Sequence, residues 1–381
     1  MLFFLWAWLF VCLGLAIAVL GPAIPALRAD FSVSLGGAGV LFTIHSLGYF
    51  GGVLYAGPLS DRYGRRIVSA LGAAGLAAGM ALAAFASSWP WFLGAMIPCG
   101  LGFAFVDVGL NAAIGDAVTD ARRRAAAMNL LHGAFPLGTL VAPAALAIAW
   151  QSGADWRMTF IGISAFTALA GLPLITRAAK WPTQQGQRQT AKPSAIFALL
   201  REPRLAQLAA LQGLYVGVEL GIAGWIATYL MDEFRVTAAA GAASTSLYWA
   251  GFLAGRPLLA WLTYRFDPAV VLVRVIMVAV VCGVIGVMAP TAVVATAAYV
   301  AAGVAICGVF PTVMALALHD RKRDAGAVTA LIAAAASVGG LIWPWLAGAV
   351  ADTIGLRPAM AVTAAPLLPM IYIARRLHSD R

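Results

Sequence analysis

Long apolar segments follow one another along nearly the whole chain and are separated by short polar links. A helix that crosses the hydrocarbon core of a bilayer needs about 20 apolar residues. The pattern therefore predicts an all-α membrane protein with twelve transmembrane helices. We place these helices at 3–27, 35–58, 67–87, 89–115, 125–150, 156–178, 205–231, 239–263, 269–289, 291–318, 326–351 and 357–377.

The stretch 179–204 is the one long polar segment, and its composition around Trp181–Gln187 is typical of a linker. It divides the chain into an N-terminal six-helix bundle, 1–178, and a C-terminal six-helix bundle, 205–381. Sequence features recur between the two halves at an offset of 203 positions: Phe31 with Phe234, Gly52 with Gly255, and Gly100-Leu101-Gly102 with Gly303-Val304-Ala305. This recurrence predicts duplicated, pseudo-symmetric bundles.

Composition agrees with a membrane protein, since 62% of the 381 residues are hydrophobic and 10% are charged. A soluble domain could not hide so much apolar surface. The net charge of +10 would indicate nucleic acid binding in a soluble protein, but here the basic residues concentrate in alternate links. We therefore expect no nucleic acid partner. The positive-inside rule places the linker and both termini on the cytoplasmic side of a bacterial inner membrane.

The start of the chain lacks a basic region and stays apolar as far as Leu27. This indicates a first membrane helix rather than a cleaved signal peptide. The sequence shows no nucleophile elbow, phosphate-binding loop or zinc-type spacing, and its four cysteines lie in apolar runs. We therefore expect no enzyme activity, no cofactor and no metal.

The link between the second and third predicted helices, residues 57–66, reads G-P-L-S-D-R-Y-G-R-R. It resembles the signature loop of the major facilitator superfamily, G-x-x-x-D-x-x-G-R-R, at every fixed position. The alternative is a basic loop that only obeys the positive-inside rule. The resemblance implies the major facilitator fold, alternating access and a monomer. In that family the aspartate caps helix eleven, here near 326, and the arginines pair with an acid at the end of helix four. The implied gating residues are Asp61, Arg62, Arg65, Arg66 and Asp116.

Ionisable side chains inside membrane helices are costly and mark functional sites by default. The N-terminal half carries His45, Asp107 and His132 in its apolar segments. Asn111 shares a helix face with Asp107, and Asn129 shares one with His132. Burial favours the neutral form of a carboxyl, whereas a nearby histidine opposes this effect. We therefore expect Asp107 to be the main proton-coupling group and His132 its partner. The alternative is a fixed polar clamp between the fourth and fifth helices.

The seventh predicted helix carries Gln212, Tyr215 and Glu219 along one stripe, with Trp225 further on. A carboxylate, an amide and aromatic rings suit a sugar-like solute. The same stripe would also suit a lipophilic cation, or be a helix-packing face. The candidate substrate-binding residues are His45, Asn111, Asn129, Gln212, Tyr215, Glu219, Trp225, Tyr248 and Trp249. Glu219 is also a second candidate for proton coupling.

Several stretches in the fourth, fifth and seventh helices are similar to the branch of the superfamily that contains the fucose, galactose and glucose–proton symporters. These are Gly100–Phe103, Asp107–Asn111, Met128–Gly133 and Val218–Leu230. The resemblance implies proton-linked symport of a small polar solute. One departure is that the fucose symporters carry an acid inside helix one, whereas this chain has none before Asp30. The alternative is a proton-driven drug efflux antiporter, whose helix-five pattern Gly-x-x-x-Gly-Pro is approximated by Gly138–Pro143.

Overall fold

The structure is a computed structural model that describes residues 2–118, 120–176, 181, 193–319 and 325–379. The described residues form helices joined by short links. The α-helices are α1 (Leu2–Ala18), α2 (Leu20–Phe31), α3 (Leu35–Tyr63), α4 (Arg65–Ala84), α5 (Trp89–Ala117), α6 (Ala121–Gln151), α7 (Trp156–Ile175), α8 (Pro193–Ala198), α9 (Pro203–Phe234), α10 (Ala238–Arg265), α11 (Pro268–Val287), α12 (Ala292–Ile306), α13 (Val309–Ala317), α14 (Ala325–Ile354), α15 (Leu356–Ala364) and α16 (Leu367–Ser379).

Membrane-length helices account for most of these elements. Within the described ranges, ten helical stretches are long and apolar enough to cross a membrane, and the bent pair α1–α2 forms an eleventh. Helix α10 has 28 residues, but its serines, threonines and Arg256 make it less apolar. Each predicted segment coincides with one helix or one broken pair of helices. The prediction of an all-α membrane protein is therefore confirmed, and eleven of the twelve predicted segments are long and apolar enough to cross a membrane.

Three segments that the sequence predicts as continuous helices, 3–27, 291–318 and 357–377, are each broken in the structure. The first break bends the chain by 42° between α1 and α2. Pro22, Pro311 and Pro366 lie at the breaks or within four residues after them. Proline has no backbone N–H and its ring clashes with the preceding turn, so these positions interrupt the helices.

Polar side chains in the links start many of the helices. The first turns of five helices are capped by side-chain oxygens that accept hydrogen bonds from backbone N–H groups. The capping residues are Asp120, Asp155, Thr237, Asp267 and Thr291. Gly64 joins α3 to α4 with a φ of 92°, which a residue with a side chain rarely adopts. This explains the second glycine of the signature loop.

The chain forms two compact units. The first contains Met1–Leu20 and Ile44–Thr190, and the second contains Gly21–Thr43 and Ala191–Arg381. The second unit thus includes α2 and the start of α3. The division into bundles 1–178 and 205–381 remains a prediction, and most of the predicted linker 179–204 lies outside the described residues.

Hydrogen bonds hold the start of α3 against α14 inside the second unit. The carboxylate of Asp352 accepts bonds from the backbone N–H groups of Leu35 and Gly36, each at 2.8 Å. The Thr43 hydroxyl donates to the carbonyl oxygen of Leu341 at 2.7 Å. An anion at the first turn of a helix satisfies free N–H groups and complements the helix dipole. Asp352 therefore acts as a cap for a helix that is distant in sequence.

Glycine contacts confirm the internal repeat. In the first unit, a methyl group at Gly48 would lie 2.6 Å from the carbonyl oxygen of Ile97. In the second unit, a methyl group at Gly251 would lie 2.5 Å from the carbonyl oxygen of Val300. Gly251 lies 203 positions after Gly48, and Val300 lies 203 positions after Ile97, which is the offset found in the sequence. The two halves therefore use equivalent small residues for close helix packing.

The contact between α1 and α6 yields a testable prediction, because a methyl group at Gly138 would lie 2.0 Å from the carbonyl oxygen of Val11. Overpacking of this kind costs about 1–3 kcal/mol. We expect Gly138→Ala to lower the thermal unfolding temperature of the purified protein. The matched control is Gly133→Ala on the same helix, where nothing lies within 4 Å of the added methyl group. Equal unfolding temperatures for the two variants would contradict the packing argument.

Candidate functional site

A partly buried carboxylate in the first unit receives hydrogen bonds on both of its oxygens. The Tyr49 hydroxyl on α3 donates to Oδ2 of Asp107 on α5 at 3.0 Å. The Asn111 side-chain Nδ2 donates to Oδ1 of the same carboxylate at 2.8 Å. Asp107 and Asn111 are four residues apart on α5, which places them on one helix face. The Asp107 carboxylate is therefore held by donors from two helices.

The chain of hydrogen bonds continues to α6. Oδ1 of Asn111 lies 2.9 Å from Nε2 of His132. An amide oxygen can only accept, so Nε2 of His132 must carry a proton in this arrangement. The ring of His132 also meets the ring of Phe10 edge-on, with centroids 4.9 Å apart. The sequence predicts one polar pair on each of the two helices, Asp107–Asn111 and Asn129–His132. The contact between Asn111 and His132 joins these pairs.

We refer to Tyr49, Asp107, Asn111 and His132 as the polar chain. Close helix contact brings its members together, since a methyl group at Gly100 would lie 2.1 Å from the carbonyl oxygen of His45, on the turn before Tyr49. Sequence reasoning missed Tyr49, because a single tyrosine in an apolar helix gives no signal of its partner. The spacing of four residues from His45 was the one available hint.

Two other predicted substrate-binding residues of the N-terminal half, His45 and Asn129, are not part of the polar chain. His45 is buried, its ring lies edge-on to Phe103 at 5.9 Å, and its Nε2 has no hydrogen-bond partner in the described part of the chain. The side chain of Asn129 lies outside the described part. Their roles in substrate binding remain predictions.

A second partly buried carboxylate, Glu219, lies in the second unit. Tyr215 forms a side-chain hydrogen bond to Glu219, one turn along α9. The Tyr248 hydroxyl on α10 donates to the backbone oxygen of Glu219 at 3.3 Å. The guanidinium of Arg256, also on α10, attracts Glu219 electrostatically. The link between Arg256 and Glu219 depends on the packing of α9 on α10, which the sequence does not reveal.

The remaining predicted binding residues of this unit differ in whether their polar atoms form hydrogen bonds. Both amide atoms of the fully buried Gln212 lack a hydrogen-bond partner among the described residues, and so does the indole nitrogen of Trp249. By contrast, the indole N–H of Trp225 donates to the carbonyl oxygen of Pro344 at 2.8 Å. Gln212 and Trp249 therefore have polar atoms available for a bound molecule, whereas that of Trp225 is already occupied.

The glycines that flank Glu219 accommodate neighbouring side chains. Gly217 faces the ring of Trp343, Gly221 faces Thr363 and Gly224 faces the ring of Phe42. Helix α9 runs unbroken through all three positions. These glycines therefore allow close packing around α9 rather than local unwinding.

The signature loop forms a buried charge cluster at the end of the first unit. Nε of Arg65 lies 3.0 Å from Oδ2 of Asp116, and both side chains are almost fully buried. The Arg65 guanidinium also pairs with Asp61 and donates to the Ser60 hydroxyl. The pairing of an arginine of the loop with Asp116 is thus present, with Arg65 as the arginine. The predicted cap of Asp61 on the helix beginning near 326 remains a prediction.

The other arginines of the loop have separate partners. Arg66 donates to the carbonyl oxygen of Leu174 at 2.8 Å, near the end of α7. The guanidinium of Arg62 lies over the ring of Tyr63, 5.1 Å from its centroid. Arg66 therefore ties α4 to α7, whereas Arg62 makes only a local contact.

Membrane-length helices with paired polar side chains inside them, and a charged loop between two of them, define a polytopic membrane protein. The family model of the Major Facilitator Superfamily matches residues 6–344. The chain belongs to this superfamily.

Curated relatives include transporters of two kinds. Sodium-dependent glucose transporter 1 of Rattus norvegicus is 30% identical over 146 residues, which cover 38% of this chain and 30% of that protein. Sodium-dependent glucose transporter 1A of Mus musculus is 22% identical, over 69% of each chain. Multidrug resistance protein MdtL of Escherichia coli is 29% identical over 41% of this chain and 42% of its own length.

Solved structures share the fold. A bacterial homologue of the human lysosomal transporter Spinster superposes with a TM-score of 0.83 at 16% identity, over 99% of this chain and 96% of its own. The transporter FucP superposes with a TM-score of 0.71 at 19% identity, over 99% of this chain and 98% of its own. The fold is therefore the major facilitator fold.

The buried pair of Arg65 and Asp116 yields a stability prediction. Removing one member of a buried ion pair leaves an uncompensated charge and costs about 3–5 kcal/mol. We expect Arg65→Met to lower the thermal unfolding temperature and the yield of folded protein strongly. The double variant Arg65→Met/Asp116→Leu should recover part of the loss, because it removes both charges. Arg62→Met is the control and should have little effect. An Arg65→Met protein as stable as the double variant would refute the role of the pair.

Proposed function

We propose that this chain is a secondary active transporter that moves a small polar, sugar-like solute across the bacterial inner membrane by proton-coupled alternating access. In this proposal its two halves, 1–178 and 205–381, are the moving bundles, and both termini lie in the cytoplasm. The observation that carries the proposal is the polar chain, in which the carboxylate of Asp107 is linked through Asn111 to His132.

The polar chain has the properties that proton coupling requires. Asp107 is held by donors on both oxygens, so its charged form is compensated without a neighbouring cation. Beyond Asn111 the chain reaches His132, whose imidazole can carry a proton on either ring nitrogen. All four members of the chain are partly exposed. A change in water access would therefore reach the carboxylate and alter its protonation.

The polar atoms of the second unit support binding of a polar solute. A buried amide without partners is costly, and a hydroxyl-rich molecule would satisfy the amide of Gln212 and the indole N–H of Trp249. Glu219, held by Tyr215 and attracted by Arg256, would accept hydrogen bonds from solute hydroxyls. Two glucose transporters among the relatives agree with a sugar-like solute, and their names raise sodium as an alternative coupling ion.

The second candidate function is proton-driven efflux of drugs or other toxic small molecules. The observation that favours it is the 29% identity to the multidrug resistance protein MdtL over 168 residues. A lipophilic cation would use the aromatic rings of Tyr248 and Trp249 and the charge of Glu219. The two functions differ in the ligand that binds and in the direction of its movement relative to the proton gradient.

The role of Asp107 is tested by Asp107→Asn in proteoliposomes with an imposed proton gradient. The amide mimics the protonated acid, so solute should still bind and exchange in counterflow. Uphill accumulation should fall to the level of empty vesicles, because no proton can be carried. Asp232→Asn, the same change at an exposed site on α9, should keep both activities.

A fixed polar clamp would give a different result, because Asp107→Asn would then reduce the amount of folded protein and both transport modes together. Uphill accumulation by a folded Asp107→Asn protein would place the coupling elsewhere, with Glu219 as the next candidate. Accumulation driven by a sodium gradient and not by a proton gradient would assign sodium as the coupling ion.

The solute is tested by a thermal-shift screen of the purified protein against sugars and lipophilic cationic drugs. A ligand present at 100 times its dissociation constant stabilises the folded state by about 2.7 kcal/mol. We expect sugars to raise the unfolding temperature of the wild type. Glu219→Gln should weaken this effect, because the amide is a poorer acceptor for hydroxyl groups than the carboxylate.

Glu202→Gln, the same change at the start of α9, is the matched control and should behave as the wild type. Stabilisation by drugs and not by sugars would favour the efflux function. An unchanged sugar response in Glu219→Gln would remove Glu219 from the binding site.

A further inference from the structure

The geometry of the polar chain points to a further role for Asn111, and this inference rests on the proposed proton coupling at Asp107. We infer that the side-chain amide of Asn111 is a two-position switch, whose rotation by half a turn links the protonation of Asp107 to the proton position on His132. Asn111 would then be a positioning residue for the proton rather than a ligand of the solute.

In the present arrangement every donor along the chain points toward Asp107. Tyr49 and Asn111 each donate one hydrogen bond to the carboxylate, at 3.0 and 2.8 Å. The amide oxygen of Asn111 then faces Nε2 of His132, 2.9 Å away, and that nitrogen must donate. An NH₂ group cannot accept a hydrogen bond, so a protonated Oδ1 of Asp107 would have no acceptor here. This arrangement therefore fits the charged carboxylate, or an acid protonated at Oδ2 with the Tyr49 hydroxyl oxygen as its acceptor, and it excludes a proton on Oδ1.

Rotation of the amide by half a turn exchanges its oxygen and nitrogen at nearly the same positions. The amide oxygen would then accept a bond from a protonated Oδ1 of Asp107. The NH₂ group would donate to Nε2 of His132, which must be without a proton. The rotated arrangement therefore fits only an acid that is protonated at Oδ1, so rotation of the amide is linked to protonation at that oxygen.

The protons can be counted in both arrangements. With the charged carboxylate and a neutral imidazole, one proton lies on the Tyr49 hydroxyl and one on Nε2 of His132. Uptake of a proton from water at Nδ1 gives the imidazolium. When the amide rotates, the proton on Nε2 leaves to water and Oδ1 of Asp107 takes one from water. The final state holds protons on Tyr49, on Oδ1 of Asp107 and on Nδ1 of His132.

The surroundings leave His132 as the group that can set this balance. The titratable groups that face Asp107 are Tyr49 on α3 and, beyond Asn111, His132 on α6. His45, also on α3, lies against Phe103. Helix α1 carries no charged residue, and those of α4 are Arg65 and Arg66 in its first turn. The other charged residues of α3, α5 and α6 lie at the helix ends: Asp61 and Arg62 in the last turn of α3, Asp116 in the last turn of α5, and arginines in the first turn of α6.

Difference infrared spectroscopy of the full-length protein in lipid vesicles tests the switch directly. The chain contains two asparagines, Asn111 and Asn129, so an Asn129→Gln protein grown with ¹³C-labelled asparagine carries the label at Asn111 alone. Between alkaline and acidic pH we expect a protonated-carboxyl band that is absent in Asp107→Leu. A label-sensitive amide carbonyl band should change with it, and both should titrate with the same midpoint.

Three variants separate the switch from a structural role. His132→Phe removes the group that accepts from the rotated amide, so the amide band should no longer follow the carboxyl band. Asn111→Leu, of similar size, should keep counterflow exchange in proteoliposomes and lose proton-driven accumulation. Thr139→Val, on the same helix as His132 and outside the polar chain, should behave as the wild type in both measurements.

The outcomes distinguish this inference from the proposed function. A carboxyl band that depends on Asp107 without any label-sensitive amide change would overturn the switch and leave the proton site intact. Full proton-driven accumulation by Asn111→Leu would overturn it as well. Absence of any carboxyl band that depends on Asp107 would overturn both the switch and the coupling at Asp107.

Discussion

The absence of water from the hydrocarbon core is the constraint on which the rest of this structure depends. Backbone polar groups satisfy one another within helices, and polar side chains inside the membrane must find partners within the protein. Asp107 meets this requirement through Tyr49 and Asn111, and Asn111 meets it through His132. Such a chain needs helix axes at close distance, which the contact of Gly48 and Gly100 provides. Small residues therefore determine where charged chemistry can exist in the first unit.

Much of the fold follows from features that are local in sequence. Apolar length predicts the spans, the 203-position offset predicts the repeat, and the i, i+4 spacing of Asp107 and Asn111 predicts their contact. The breaks near Pro22, Pro311 and Pro366 were missed, because proline kinks some membrane helices and divides others, depending on the packing around them. Tyr49 and Arg256 were missed for a related reason, since their partners lie on other helices and no periodic pattern encodes the rotation of one helix against another.

Contacts between helices that are distant in sequence also decide which segments belong to the second unit. Gly21–Thr43 belongs by sequence to the N-terminal half, yet it packs with α9 and α14. Asp352 caps the first turn of α3 across a separation of 317 residues. An aspartate at the end of an apolar helix can simply face water at the membrane surface. The sequence around Asp352 therefore does not reveal its contact with α3. Only the approach of the two backbones, with Gly36 beside the carboxylate, selects it.

The two partly buried carboxylates, Asp107 and Glu219, differ in what surrounds them, and the proposed function gives them separate tasks. The oxygens of Asp107 are occupied by donors from its own unit, so a solute would have to displace existing bonds to reach it. In the second unit, which contains Glu219, the polar atoms of Gln212 and Trp249 have no partner within the described part of the chain. A solute that replaces an existing hydrogen bond gains little free energy, whereas one that pairs with a buried polar atom lacking a partner gains more. The proposed function therefore assigns recognition of a polar solute to the second carboxylate and storage of a proton to the first.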